Sequence, residues 1–170
     1  MEMNVEINKN VKLSEHFTLA EMTKTSVKTK DGNIPSRVHI ENLKRLTKWL
    51  ERLRLRCNQM SNEKLGISNY DYSDAEKEVP IIINSAYRSP QVNKAVGGAA
   101  TSNHLTGCAA DIRCQGIEQA IRYAFILLDI SDESQEPFDE LLIEQSAKSI
   151  WVHFAVRPKG NRRKVAFVKK

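Results

Sequence analysis

Two imidazoles and a carboxylate set the chemistry open to this chain. His104 and Asp111 lie within Ser102-Asn103-His104-Leu105-Thr106-Gly107-Cys108-Ala109-Ala110-Asp111-Ile112, and His153 follows much later in Trp151-Val152-His153-Phe154. Catalytic zinc uses a two-histidine, one-carboxylate set when one coordination position stays open for water, so one Zn2+ per chain is the expected cofactor. Three ligands imply an enzyme, whereas four would suggest a structural site.

The elements that must aim these groups are legible around them. His104 sits in a turn-rich stretch, and Gly107 lets the chain bend before Cys108–Arg113, which reads as a short buried strand. Ala109 and Ala110 leave room for a metal beside the backbone. The run from Ile150 to Val156, rich in β-branched and aromatic residues, reads as a second strand carrying His153. Trp151, a large aromatic in that strand, reads as core and is left out of the site. Alternation along the first strand puts Ala109, Asp111 and Arg113 on one face and Cys108, Ala110 and Ile112 on the other. Cys108 should therefore point away from the metal, and Cys114 with it, both as small buried hydrophobes. His16 and His39 have no carboxylate or cysteine at ligand spacing and read as structural.

At these residues the sequence resembles a known family. The pattern Ser-x-His-x-x-Gly-x-Ala-x-Asp-Ile from Ser102 to Ile112, with the downstream Trp151-Val152-His153, is similar to the zinc D-Ala-D-Ala carboxypeptidases. That family includes peptidoglycan-cleaving phage endolysins and shares its fold with the hedgehog signalling domain. Ile83-Asn84-Ser85-Ala86-Tyr87-Arg88-Ser89-Pro90 and Asn93-Lys94-Ala95-Val96-Gly97-Gly98 resemble the family's approach to its first histidine. Matching residues run from about Val79 to Val156, and Phe17–Met22 resembles the amino-terminal segment of one branch. The resemblance implies a zinc peptidase acting on peptidoglycan stem peptides, at an amide beside a D-amino acid or at the L-alanyl-D-glutamate bond. It makes Arg88 the substrate-binding arginine, whose fork suits a carboxylate or a tetrahedral intermediate. Ser102 either bonds near the substrate or serves as a turn residue.

A zinc hydrolase also needs a base to take a proton from water. Many relatives carry an acid three positions before the last histidine, where this chain has Ile150. In hedgehog-like branches the corresponding Glu ends the preceding strand, and in Phe138-Asp139-Glu140-Leu141-Leu142-Ile143-Glu144 the resemblance implies Glu144 as the base. Asp139 and Glu140 stay open, since alternation places Glu140 on the same face as Glu144. The departure at Ile150 also keeps a second reading, a zinc-stabilised wall-binding or interaction module without catalysis.

Composition bounds the rest. A chain of 170 residues suits one domain over residues 1–170, with the matching core at about 79–156 and a basic tail at 157–170. The 28% charged and 41% hydrophobic residues are ordinary for a globular protein. No apolar run approaches the roughly 20 residues that span a bilayer, so no membrane span is expected. Residues 1–8 lack a basic start followed by an apolar stretch, which predicts no secretory signal. Cytoplasmic synthesis and action on the wall after release, in the manner of a phage or prophage lysin, are the matching expectation. Three cysteines, Cys57, Cys108 and Cys114, suggest no disulfide framework and a reducing compartment of synthesis. The net charge of +5 concentrates in Arg157–Lys164 and Lys169-Lys170, as a solvated tail or a docking surface for an anionic polymer, membrane surface or nucleic acid. With no aromatic interleaving there, no specific nucleic-acid partner is expected, and the chain should be a monomer.

Along the chain, Thr18-Leu19-Ala20-Glu21 reads as a capping box opening a short helix. Leu43, Leu46, Leu50, Leu53 and Cys57 mark one amphipathic helix from about Arg37 to Asn58, capped by Ser36, followed by a surface loop over 59–77. A strand from Val79 to Ala86, a short helix opened by Ser89-Pro90, a second amphipathic helix through Ile117, Ala120, Ile121, Ala124, Phe125 and Leu128, and strands at Glu140–Glu144 and Ile150–Val156 complete the pattern. The fold class is α+β, a small mainly antiparallel sheet with helices packed on one face.

Overall fold

The computed structural model describes residues 10–64 and 78–170. Its elements are α1 (Leu19–Met22), α2 (Arg37–Lys64), β1 (Ile83–Ser85), α3 (Pro90–Ala95), a 3-10 turn at Asn103–Thr106, β2 (Ala109–Cys114), α4 (Ile117–Ser134), β3 (Glu140–Gln145), β4 (Ile150–Ala155) and β5 (Lys164–Lys169). The protein is α+β, with one five-stranded sheet in the order β1-β2-β4-β3-β5. Every pairing in that sheet is antiparallel except β3 with β5.

The helix starts follow the local chemistry of their caps. Thr18 Oγ1 accepts from the N–H of Glu21 at 3.2 Å, Ser36 Oγ from that of His39 at 3.4 Å, and Ser89 Oγ from that of Val92 at 3.3 Å. Each of these bonds satisfies a donor that the first helical turn leaves without a partner. Helix α2 runs six residues past its expected end at Asn58, through the first part of the expected loop. The remainder of that loop, 65–77, and the amino-terminal residues 1–9 lie outside the described residues.

One face of the sheet carries the core. Leu43, Leu46, Trp49, Leu50 and Leu53 from α2 and Tyr123, Ile126, Leu127 and Ile130 from α4 are buried together with Ile112, Leu141, Val152 and Phe154 from the strands. Trp49, Phe138 and Phe154 meet as tilted and edge-on rings with centroids 5.1–6.5 Å apart. Arg56 ties the two helices by reaching Asp129 and Glu133. The opposite face carries the alternate residues, Asp111, Leu142, Glu144 and His153 among them.

Two strand expectations change. The strand read over Val79–Ala86 contracts to Ile83–Ser85, whose pairing with β2 shifts register between Ile83 and Ser85. Both backbone groups of Val79 turn instead to the side-chain amide of Asn58, at 2.8 and 3.3 Å. The basic segment read as a tail is in part a strand, since β5 pairs in register with β3 from Glu140↔Lys164 to Gln145↔Lys169. Its cations are largely consumed inside the fold: Arg157 and Arg162 pair with Asp139, Arg163 with Asp132 and Lys170 with Glu144.

Candidate metal centre

His104 is placed by three local devices. Ser102 Oγ caps the 3-10 turn by accepting from the His104 N–H at 3.3 Å. Gly107 ends the turn in the left-handed region at φ 71°, where a Cβ would stand 2.7 Å from the backbone oxygen of His39. Glycine is thus required there by conformation and by space together. The carbonyl of Ala86 accepts from His104 Nδ1–H at 2.6 Å, which leaves Nε2 as the nitrogen that faces Asp111 and could reach a metal.

Asp111 and His153 are direct cross-strand partners in the β2–β4 ladder and share a face. Asp111 Oδ1 lies 3.2 Å from His104 Nε2 and 2.9 Å from His153 Nδ1. The three groups are buried and bring their donor atoms within 4.8 Å of one another. Donors about 2.1 Å from a tetrahedral ion stand about 3.4 Å apart, close to the 3.2 and 2.9 Å that separate Asp111 Oδ1 from the two ring nitrogens. The donor chemistry fits as well, because the second nitrogen of each ring is taken up by another acceptor.

That acceptor for His153 is Glu140, whose Oε2 lies 3.3 Å from Nε2. A carboxylate behind a ligating imidazole is the common outer-shell partner in zinc sites. The charges reinforce one another. Burial pushes the Asp111 carboxyl up, but His104 and His153 outweigh it and hold it well below the carboxylate range. Burial works against the charged form of His153, yet Asp111 and Glu140 raise it to about 9. The bond from His153, joined by that from Asn103, lowers Glu140 to about 2 against the opposing effect of burial.

The centre opens into a cavity of about 690 Å³. Arg88 and Ser102 both line it, as do Glu140, Glu144, Trp151 and Lys170. Arg88 Nη2 donates to Asp111 Oδ2 at 2.6 Å and Nε to Ser85 Oγ at 2.8 Å, so the arginine braces a ligand from behind. Glu144 accepts from Lys170 Nζ at 2.7 Å, and the same ammonium sits 5.3 Å from the centre of the Trp151 ring. Trp151 is thus a wall of the cleft; its place two residues from His153 on one strand was the available signal. Asn103, Arg157, Arg162 and Lys164 also line the cleft, and nothing in their spacing marked them.

The residues read as structural stay apart from the centre. His16 Nδ1 lies 2.8 Å from Glu51, and His39 packs beside Tyr87 with ring centroids 5.1 Å apart. Cys108 and Cys114 are free and buried, each turned toward a main-chain carbonyl, of Thr106 and Ile112. Burial raises both thiols, Cys114 to about 11, which disfavours the thiolate that metal binding needs.

Two imidazoles and a carboxylate on the floor of a polar cleft are a donor set that could hold a metal ion, of the kind that metal-dependent hydrolases use. A family model described as Peptidase M15 matches residues 68–152, half of the chain, and the chain belongs to this family of metallopeptidases. No curated protein matches it.

Proposed function

We propose that this protein is a zinc-dependent peptidase cleaving peptidoglycan stem peptides, as a D-Ala-D-Ala carboxypeptidase or an L-alanyl-D-glutamate endopeptidase. The observation that carries the reading is the convergence of His104 Nε2, Asp111 Oδ1 and His153 Nδ1 on the floor of a cleft that also holds Arg88 and Glu144. Zinc held by these three atoms supplies a Lewis acid and acidifies water.

The chain's own groups do the rest. Glu144 takes the proton from the attacking water; it stands in the cleft wall, where its Oε2 accepts from Lys170 Nζ. Arg88, held by Ser85 through Nε and by Asp111 through Nη2, lines the cleft and offers its remaining guanidinium N–H groups to a substrate carboxylate or the developing oxyanion. Ser102 acts first as the cap that sets His104. Release as a phage or prophage lysin and action as a monomer belong to the same proposal.

The test is digestion of purified peptidoglycan by the zinc-loaded protein, with the products identified by mass. New termini within the stem peptides are expected. Glu144→Gln should lower turnover by about 10²- to 10⁴-fold at unchanged zinc content, the usual contribution of a general base. Glu140→Gln, assayed with zinc in excess, should cost much less. Arg88→Lys should lower kcat/KM, because an ammonium cannot reproduce a paired fork. Intact stem peptides with every peptidoglycan chemotype tried would favour the non-catalytic wall-binding module, for which the missing acid at Ile150 is the supporting observation.

A further inference from the structure

We propose that Asn103 and Glu140 form a positioning relay that fixes the ring of His153 and thereby sets the affinity of the metal centre. The inference rests on reading His104, Asp111 and His153 as metal ligands and adds two residues that touch no metal.

Asn103 is buried beside the first ligand, and its side chain has one possible orientation. Arg157 Nε donates to Oδ1 at 2.8 Å, and an arginine has no acceptor to offer the amide nitrogen. Nδ2 in turn donates to two carboxylates, Asp139 Oδ2 at 2.8 Å and Glu140 Oε2 at 2.9 Å. A flipped amide would set oxygen against both carboxylates and nitrogen against the guanidinium.

Glu140 is held at both oxygens. Oε1 meets Arg162 Nη2 at 3.0 Å, while Oε2 receives Asn103 and faces His153 Nε2 at 3.3 Å. An ionised carboxylate only accepts, so His153 must present Nε2–H to it. Nδ1 is then the nitrogen left for the metal, on the side where Asp111 Oδ1 waits at 2.9 Å. The Asn103 carbonyl also accepts from the Cys108 N–H at 3.0 Å, so one residue connects the turn of His104 to the partner of His153. Arg157 and Arg162, which lock the relay from outside, lie beyond the matched residues 68–152 and belong to this chain's own carboxy-terminal segment.

The experiment measures zinc affinity by chelator competition for wild type, Asn103→Ala, Glu140→Ala, the double variant and His104→Ala, with the absorption spectrum of each cobalt-loaded protein. Asn103→Ala and Glu140→Ala should each weaken zinc binding about 10- to 100-fold, the usual cost of losing an outer-shell partner. The cobalt bands should shift in both. Because Asn103 acts through Glu140, the double variant should fall within about twofold of Glu140→Ala. Affinities within twofold of wild type, or independent and multiplying losses, would overturn the relay. If the alanine variants do not fold, Glu140→Gln carries the test, with a loss expected and an unchanged affinity overturning it. His104→Ala separates the premises: full zinc affinity there would remove the metal-site reading itself, whereas its loss alongside unaffected relay variants would remove the relay alone.

Discussion

The density of charge around one imidazole is the controlling fact at the residue scale. His153 is buried between Asp111 and Glu140, and its two nitrogens face one carboxylate each. In the metal-free protein this raises the ring to about 9, so below that pH it holds a proton on the nitrogen a metal needs. Metal binding must release that proton, and zinc affinity should rise with pH, by up to about tenfold per unit, until about pH 9. Chelator competition at pH 6, 7 and 8 checks this, and a flat profile would contradict the charge state derived for His153. The sign for folding is opposite. A cation favoured by the folded state stabilises the metal-free protein fully below the ring's ordinary value near 6.5, and that contribution fades as pH rises through about 9.

Among the elements, the 3-10 turn at Asn103–Thr106 is the piece on which the site depends most. It is short, so its geometry comes from its ends: the Ser102 cap on one side and Gly107 on the other. Gly107→Ala meets two penalties, a left-handed backbone worth about 1–2 kcal/mol and a clash with the His39 carbonyl. Gly160 offers the control, with φ 70° and no atom within 4 Å of where its Cβ would stand, so Gly160→Ala should carry the backbone cost alone. Thermal unfolding should place Gly107→Ala below Gly160→Ala, and both below wild type, by roughly 2–4 °C per kcal/mol for a chain of this size. The Gly107 variant should lose zinc affinity as well. Equal melting points for the two variants would mean that the His39 contact is soft.

Across the whole molecule, the carboxy-terminal segment is bound to the sheet at a buried carboxylate. Asp139 is fully buried, bonded by Asn103, by both Nε and Nη2 of Arg162, and by the Arg162 N–H. Burial alone would raise its carboxyl, but Arg162 and Asn103 outweigh burial and lower it. A depressed folded value stabilises the protein above the unfolded value near 3.9 and is lost as pH falls through the lower folded one. Acid unfolding should therefore begin below about pH 4 and be less steep in Asp139→Asn, which should also be less stable at neutral pH because Arg157 and Arg162 lose the charge partner that anchors them to the fold. Chemical denaturation at pH 3, 4 and 7 measures both effects, and an unchanged pH slope would place the acid sensitivity elsewhere.

The three residues that converge in the cleft, the existence of the helices and the fold class were legible in the order of residues. His104, Asp111 and His153 stood out because zinc dictates donor types and one local motif supplies two of them, and α2 stood out because burying one side of a helix leaves a period in Leu43, Leu46, Leu50 and Leu53. For α4 the helix was legible but its buried face was not: Ile117, Ile121 and Phe125, read as core-facing with Ala120, Ala124 and Leu128, are exposed, and Tyr123, Ile126, Leu127 and Ile130 pack on the sheet beside Ala120 and Ala124. Strand β5 did not stand out, because Val165 and Phe167 remain exposed and the strand is held by backbone pairing to β3 and by ion pairs, neither of which leaves a periodic trace. Which carboxylate stands behind His153 was settled in three dimensions alone. Glu140 and Glu144 share a face by alternation, but strand register sets Glu140 opposite Ala155 and Glu144 opposite Trp151, and side-chain reach then gives Glu140 to His153 and Glu144 to Lys170. Register and long-range pairing are properties of chains folded against each other, and no local pattern encodes them.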